Sequence, residues 1–185
     1  MSIHKDCQVY LSVDEPFTTS IQNDILGDVP GLLVEDWLNL VAKEAMDVAL
    51  EGPDAAQISL VITGDDTVHG LNAQYRGLDE VTDVLSFATN HGGHWEGVAD
   101  SSRDIDELDF IMPPSEPCPL GEVIVSYPQA QRQAEERGKR LEHELALLVV
   151  HGVLHLTGHD HLDLQDTELM QSRERAALEK LNINA

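Results

Sequence analysis

The 185-residue sequence contains few aromatic residues and few cysteines. Aromatic residues make up 4% of the chain, so aliphatic side chains must supply most of the hydrophobic core. Cys7 and Cys118 are the two cysteines, and they lie too far apart to match a cysteine metal motif or the disulfide framework of a small secreted protein. The cysteine content therefore predicts two reduced thiols in a reducing compartment.

Long apolar runs are absent as well. No stretch approaches the roughly 18 apolar residues that a membrane helix needs. The first thirty residues lack the basic start and apolar segment of a secretory signal peptide. We therefore expect a soluble cytoplasmic protein that does not bind membranes.

Positive charge is scarce. The chain has 11 basic and 34 acidic residues, which gives a formal net charge of −23 at pH 7. Such a surface repels polyanions except where basic side chains are locally concentrated. A solvated acidic exterior that keeps the protein soluble accounts for most of this charge. The composition thus argues against a broad nucleic-acid-binding face and against DNA as a partner, but it identifies no partner.

Hydrophobic patterning predicts strands separated by helices in the first half of the chain and helices alone at its end. Strands are predicted at 7–13, 57–63, 82–88 and 122–127, and helices at 32–50, 64–75, 128–137, 141–156 and 164–181. The apolar run of the fourth strand indicates a central position in the sheet. This order predicts a mixed α/β or α+β fold with a single four-stranded sheet packed against about five helices, and it allows at least one antiparallel strand.

The length predicts a single domain over residues 1–185. One segment between the third and fourth strands does not fit a regular element. Residues 90–119 contain three glycines, four prolines and seven carboxylates against one arginine. This composition predicts an acidic surface loop.

The segment HGVLHLTGHDH, residues 151–161, contains four histidines. On a helix, His151 and His155 lie about one turn apart on the same face and can bind one ion. Gly158 can adopt the left-handed conformation that ends a helix and turns the chain back, which would bring His161 to the same ion. Three imidazoles suit one zinc ion per chain, with nickel, copper or iron chemically possible, and they leave a position for water. Zinc lowers the pKa of bound water to about 7, so the pattern predicts a metal-dependent hydrolase with its site at the C-terminal end of a long helix.

The other polar residues of this segment have more than one interpretation. His159 can replace His161 as a ligand, but shaping the pocket or donating a hydrogen bond is the favoured role. Asp160 can orient a liganding imidazole, or it can be a surface carboxylate at the helix end.

The same segment resembles the signature of the YbeY family, single-domain zinc-dependent endoribonucleases. The likeness extends upstream to LNAQYR at 71–76, TDVLSF at 82–87 and LGEVIVS at 120–126, in the order that the family has them. It covers roughly residues 55–165. Two features depart from the family pattern: the 90–119 segment is longer and more acidic, and the net charge is more negative than a polyanionic substrate suits.

The resemblance implies a single-strand-specific endoribonuclease that acts in ribosomal RNA maturation and ribosome quality control. RNA is then the substrate, and ribosomal proteins are further partners. The resemblance also implies that His151, His155 and His161 bind zinc and that Arg76 supports catalysis or binds an RNA phosphate. A guanidinium can hold a phosphate by two hydrogen bonds, although a structural arginine at a helix end is the alternative.

Two other functions remain open. A metallopeptidase of the H-E-x-x-H type would need a glutamate where this chain has Gly152, so Glu122 or Asp160 would have to act as the base. A non-enzymatic, ribosome-associated accessory protein would use zinc to clamp the last helices. In that case His159 would close the fourth position, and the acidic surface would bind a basic protein.

Overall fold

The computed structural model contains one sheet and helices on both of its faces. It describes residues 7–27, 31–50, 55–89, 117–160 and 163–183. The strands are β1 (Gln8–Val13), β2 (Ala56–Thr63), β3 (Val84–Ala88) and β4 (Cys118–Ser126). The α-helices of this part are α1 (Glu15–Ile21), α2 (Val34–Ala49), α3 (Asp65–Arg76), α4 (Tyr127–Arg137), α5 (Leu141–Leu156) and α6 (Leu164–Lys180), and a π-helical turn (Gln22–Leu26) follows α1.

The four strands form one mixed sheet in the order β1-β2-β4-β3. Strands β1 and β4 both run parallel to β2, whereas β3 pairs antiparallel with β4 at the edge. The predicted α+β class with a single four-stranded sheet is confirmed. The central position of the fourth strand is also confirmed, and Val123 and Val125 of this strand are fully buried.

The two faces of the sheet are covered to different depths. Successive residues of a strand point to opposite faces. Val123 and Val125 of β4 therefore join the main core formed with α2 and α5, whereas Ile124 packs with Leu85 and Val68 in a small second cluster under α3. The hydrophobic core on the α2–α5 side of the sheet is thus much larger than the cluster on the α3 side.

Helix α5 lies directly against the sheet because Gly152 has no side chain. A Cβ atom at this position would stand 2.5 Å from Val123 Cγ1 and 3.1 Å from Ser86 Oγ. Position 152 therefore faces β3 and β4. The helical repeat then sets His151 and His155 together to one side of this contact.

The sequence prediction differs from the structure most at two places. Helix α1 and the π-helical turn were not predicted, because residues 15–26 show no extended apolar repeat. With α1, the described part of the chain has six α-helices. Strand β4 begins at Cys118, whereas the sequence predicted a start at 122, because Pro119 and Gly121 are typical of loops. In the structure, pairing with β2 through a register shift at Gln57/Ile58 holds these residues in the sheet. Residues 90–116 of the predicted acidic loop lie outside the described residues.

No helix in the described ranges combines the length and the hydropathy that spanning a bilayer would require.

Candidate active site

His151 and His155 face each other across one turn of α5. Their Nε2 atoms lie 3.0 Å apart. The ring centroids are separated by 4.6 Å with the planes at 79°. Two nitrogens bound to one tetrahedral zinc ion at about 2.0 to 2.1 Å would be about 3.3 Å apart. The pair therefore fits two ligands of a single ion, as the sequence spacing predicted.

Glu174 of α6 holds the ring of His151. Its Oε1 lies 2.8 Å from His151 Nδ1, and the two side chains are 15% and 31% exposed, respectively. A carboxylate accepts a hydrogen bond from Nδ1–H, and this favours the tautomer with its lone pair on Nε2, which a metal needs. Sequence reasoning missed Glu174 because it stands 23 residues after His151 on another helix, where no local pattern marks it.

The chain turns after α5 as the sequence predicted. Gly158 adopts φ 84°, and its N–H donates to the His155 carbonyl at 3.1 Å. His159 Nδ1 lies 3.0 Å from the Thr157 hydroxyl. His161, the predicted third ligand, lies outside the described residues. In the ranges that are described, no group of three or more His, Cys, Asp or Glu side chains could hold a metal ion, so the third ligand stays a prediction.

A cleft of about 440 Å³ opens beside His151 between α5, α6, the start of β3 and the end of α4. Leucine and methionine side chains of α5 and α6 form its apolar wall. Its polar and charged lining consists of Asp83, Arg137, His151, Thr167, Gln171 and Glu174. The cleft can therefore admit a polar ligand to one side of the histidine pair.

Two side chains of this lining are fixed by contacts to neighbouring elements. Asp83 accepts hydrogen bonds from its neighbour's backbone, Val84 N, at 2.8 Å and from Gln133 Nε2 at 3.0 Å, which ties β3 to α4. Arg137 pairs through Nη1 with the carboxylate of Glu144, which is 1% exposed. Because a buried carboxylate is costly without a partner, this ion pair anchors Arg137 at the cleft. Nothing in the sequence pattern marked Arg137 as a site residue.

Arg76 is not among the described residues that line the cleft. It is the last residue of α3, and Gly77 ends the helix with φ 69°. The buried part of α3 packs on the face of the sheet opposite α5. Of the four predicted site residues, the structure brings His151 and His155 together, and the role of Arg76 stays a prediction.

Of the two carboxylates considered for a peptidase base, Glu122 is unsuited to that role. Its Oε1 accepts a hydrogen bond from Ser59 Oγ at 3.0 Å, on the face of the sheet that Ile124 shares, away from α5. The glutamate of an H-E-x-x-H motif has no room here, because a side chain at position 152 would have to enter the contact between α5 and Val123. Glu122 therefore presents no carboxylate to the histidine pair.

Two titratable groups with shifted pKa values lie outside the cleft lining. Burial raises the pKa of Tyr127 well above its ordinary value, and the hydrogen bond that Tyr127 donates to Asp24 at 2.8 Å acts in the same direction. Burial lowers the pKa of His143, as does the charge of Lys139, while Glu144 partly opposes this. His143 is therefore a neutral packing residue at pH 7.

Comparisons with known proteins point to one family. The family model described as Endoribonuclease YbeY matches residues 23–182. The Endoribonuclease YbeY of Desulforamulus reducens is 38% identical over 155 residues, which cover 82% of this chain and 91% of the relative. That of Heliobacterium modesticaldum is 44% identical over 126 residues, covering 68% and 67%. A solution structure of a Thermotoga maritima protein gives a TM-score of 0.48 at 19% identity, covering 94% of this chain and 91% of that one. The family match includes all four predicted site residues.

Proposed function

Because the chain belongs to the YbeY endoribonuclease family, we propose that it cleaves single-stranded RNA with a zinc ion held by His151, His155 and His161. The curated relatives carry the name Endoribonuclease YbeY, so RNA is the substrate class. The specific substrate that we propose is ribosomal RNA, cleaved in the cytoplasm during ribosome maturation and quality control. Ribosomal proteins are the further partners expected in that setting.

The observation that carries this proposal is the geometry of the histidine pair. The two Nε2 atoms are 3.0 Å apart and converge, and Glu174 holds one ring in the tautomer that binds a metal. A zinc ion bound by these residues would supply a water of lowered pKa for attack on a phosphodiester. The chain's own residues hold the imidazoles in place, and the adjacent cleft receives the substrate.

Arg76 keeps its proposed role. We propose that this residue, at the end of α3, supports catalysis or binds a phosphate of the RNA strand. A guanidinium can bind phosphate through two N–H groups.

We further propose that residues 1–185 act as one domain. The main hydrophobic core unites residues from β1 to α6, which supports this proposal. We propose that this domain includes the acidic surface loop predicted at about 90–119.

The test is metal analysis of the purified full-length chain followed by cleavage assays. We expect about one zinc per chain, cleavage of single-stranded segments in a structured RNA, and loss of cleavage with a chelator. Casein, incubated in parallel, should remain intact. Chelator-sensitive cleavage of casein without cleavage of RNA would establish a peptidase, and a zinc-loaded protein that cleaves neither would establish the accessory role.

A further inference from the structure

The few basic residues of this acidic chain are concentrated near one corner of the fold. Four of the 11 basic residues lie in α4 and in the turn to α5: Arg132, Arg137, Lys139 and Arg140. Lys139 and Arg140 are exposed in the turn, beyond the end of α4. The same stretch also holds Glu135, Glu136, Glu142 and Glu144, so its charges balance, and its capacity to bind an anion depends on where each arginine is placed.

Arg137 connects this corner to the candidate active site. It lines the same cleft as His151, and it is the one permanently cationic side chain among the described residues that line it. The two carboxylates of the lining already accept hydrogen bonds: Asp83 from Gln133, and Glu174 from His151. Their oxygens are therefore directed toward protein donors, which reduces their repulsion of an anion beside Arg137.

The guanidinium of Arg137 is anchored but still accessible. One terminal nitrogen pairs with Glu144, whose side chain is 1% exposed, whereas the Arg137 side chain is 52% exposed. A guanidinium carries five N–H donors in a fixed fork, so a pairing through one nitrogen leaves donors for a second acceptor. A buried carboxylate on one side and an open cleft on the other make Arg137 a preorganised binding group for phosphate.

We propose that Arg137, positioned by Glu144, binds a backbone phosphate of the RNA strand inside the cleft. This inference rests on the proposed function and assigns to Arg137 the phosphate contact nearest the histidine pair.

A purely structural role is the competing explanation. Arg137 lies in the last turn of α4, where a cation offsets the helix dipole, and it neutralises Glu144. Removing the arginine alone would leave a buried unpaired charge and destabilise the fold. The decisive variant is therefore the double substitution Arg137→Gln/Glu144→Gln, which removes both charges and leaves the net charge unchanged.

A second arginine of α4 provides a matched control. Arg132 pairs with Asp65 at 2.8 Å and does not line the cleft. The double substitution Asp65→Asn/Arg132→Gln also removes one α4 arginine with its carboxylate partner and conserves net charge. A general effect of losing an α4 ion pair would appear equally in both variants.

The experiment measures binding of labelled single-stranded oligouridine to the full-length, chelator-treated protein at several salt concentrations. For Arg137→Gln/Glu144→Gln we expect the Kd to rise by roughly tenfold at low salt. The slope of log affinity against log salt should become shallower by about 0.7, as expected for one lost phosphate contact to a single strand. The Asp65→Asn/Arg132→Gln control should keep both values of the unsubstituted protein.

An unchanged Kd and slope in the Arg137 variant, or an equal loss in the control, would overturn the inference. If the unsubstituted protein still cleaves RNA, the proposed function survives that result. Absence of RNA cleavage by the unsubstituted, metal-loaded protein would instead overturn the proposed function. Should the double variant fail to fold, Arg137→Lys provides a second test, because lysine keeps a cation for Glu144 but lacks the planar set of N–H donors of a guanidinium. Its Kd should rise several-fold with the slope retained, and an unchanged Kd would also count against the proposal.

Discussion

Helices α5 and α3 pack on opposite faces of the same sheet, and α5 belongs to a much larger hydrophobic core than α3 does. On α5 a Cβ atom at Gly152 would stand 2.5 Å from Val123, whereas Gly70 of α3 is exposed and a Cβ atom there would meet nothing within 4 Å. Helix α5 carries the converging histidine pair, and α3 carries His69 and Arg76. Metal ligands must be held within a fraction of an ångström. A helix fixed against the sheet by a large core meets this requirement, which explains why the histidine pair lies on α5.

The largest effect is expected from removing a histidine on the α5 side. His155→Ala should reduce zinc content from about one per chain to nearly none and abolish RNA cleavage, because two imidazoles hold zinc far less tightly than three. The matched control is His69→Ala on α3, where the ring instead contacts Asp79 at 2.7 Å. Metal analysis of both variants tests the contrast, and one zinc per chain in His155→Ala would refute the ligand assignment.

The α3 side should contribute through charge and not through the metal. Arg76→Glu should fold and bind zinc normally, but kcat/KM for RNA should fall by roughly tenfold to 100-fold, mainly through KM, because a phosphate contact is replaced by repulsion. Arg76→Lys, which keeps the charge, should recover part of this loss. Undiminished cleavage by Arg76→Glu would remove Arg76 from the functional account and leave all of the chemistry on the α5 side.

Glu174→Gln tests whether α6 helps to hold the histidine pair of α5 in place. Loss of the carboxylate that holds His151 Nδ1 should weaken zinc affinity by roughly 10-fold to 100-fold. The affinity is measured by competition with a chelator of known strength. The same substitution at Glu168, which is exposed on α6 and outside the cleft lining, is the control. Equal zinc affinities in the two variants would show that Glu174 does not orient the ligand.

The smallest effects concern stability and test the packing contrast directly. Gly152→Ala should lower the free energy of unfolding by about 1 to 3 kcal/mol, because the new methyl group meets Val123 on the sheet. Gly70→Ala should raise it by up to about 1 kcal/mol, since alanine favours the helix and meets open space. Urea denaturation of both variants measures the difference. Equal stability changes would mean that position 152 accommodates a methyl group against the sheet as easily as an exposed helix position does.

The elements that could be predicted accurately are those with local signals. The prediction of α5 at 141–156 is confirmed to the residue, because its apolar run is bounded by Gly138 and Gly158, which adopt φ 62° and 84°. The start of β4 was predicted too late because its first residues, around Pro119 and Gly121, have loop character in the sequence. Pairing with β2 overrides that local preference.

The sequence by itself determined the spacing of His151 and His155, because helical periodicity follows from hydrogen bonds between residues four apart. It also determined the turn at Gly158, because the freedom of glycine is a local property. Only the tertiary structure decided that Glu174 reaches His151, that Glu144 anchors Arg137 at the cleft, and that the buried part of α3 packs on the face opposite α5. These contacts depend on how whole helices pack against one sheet, and the free energy of that packing comes from burial between distant segments that no short motif encodes.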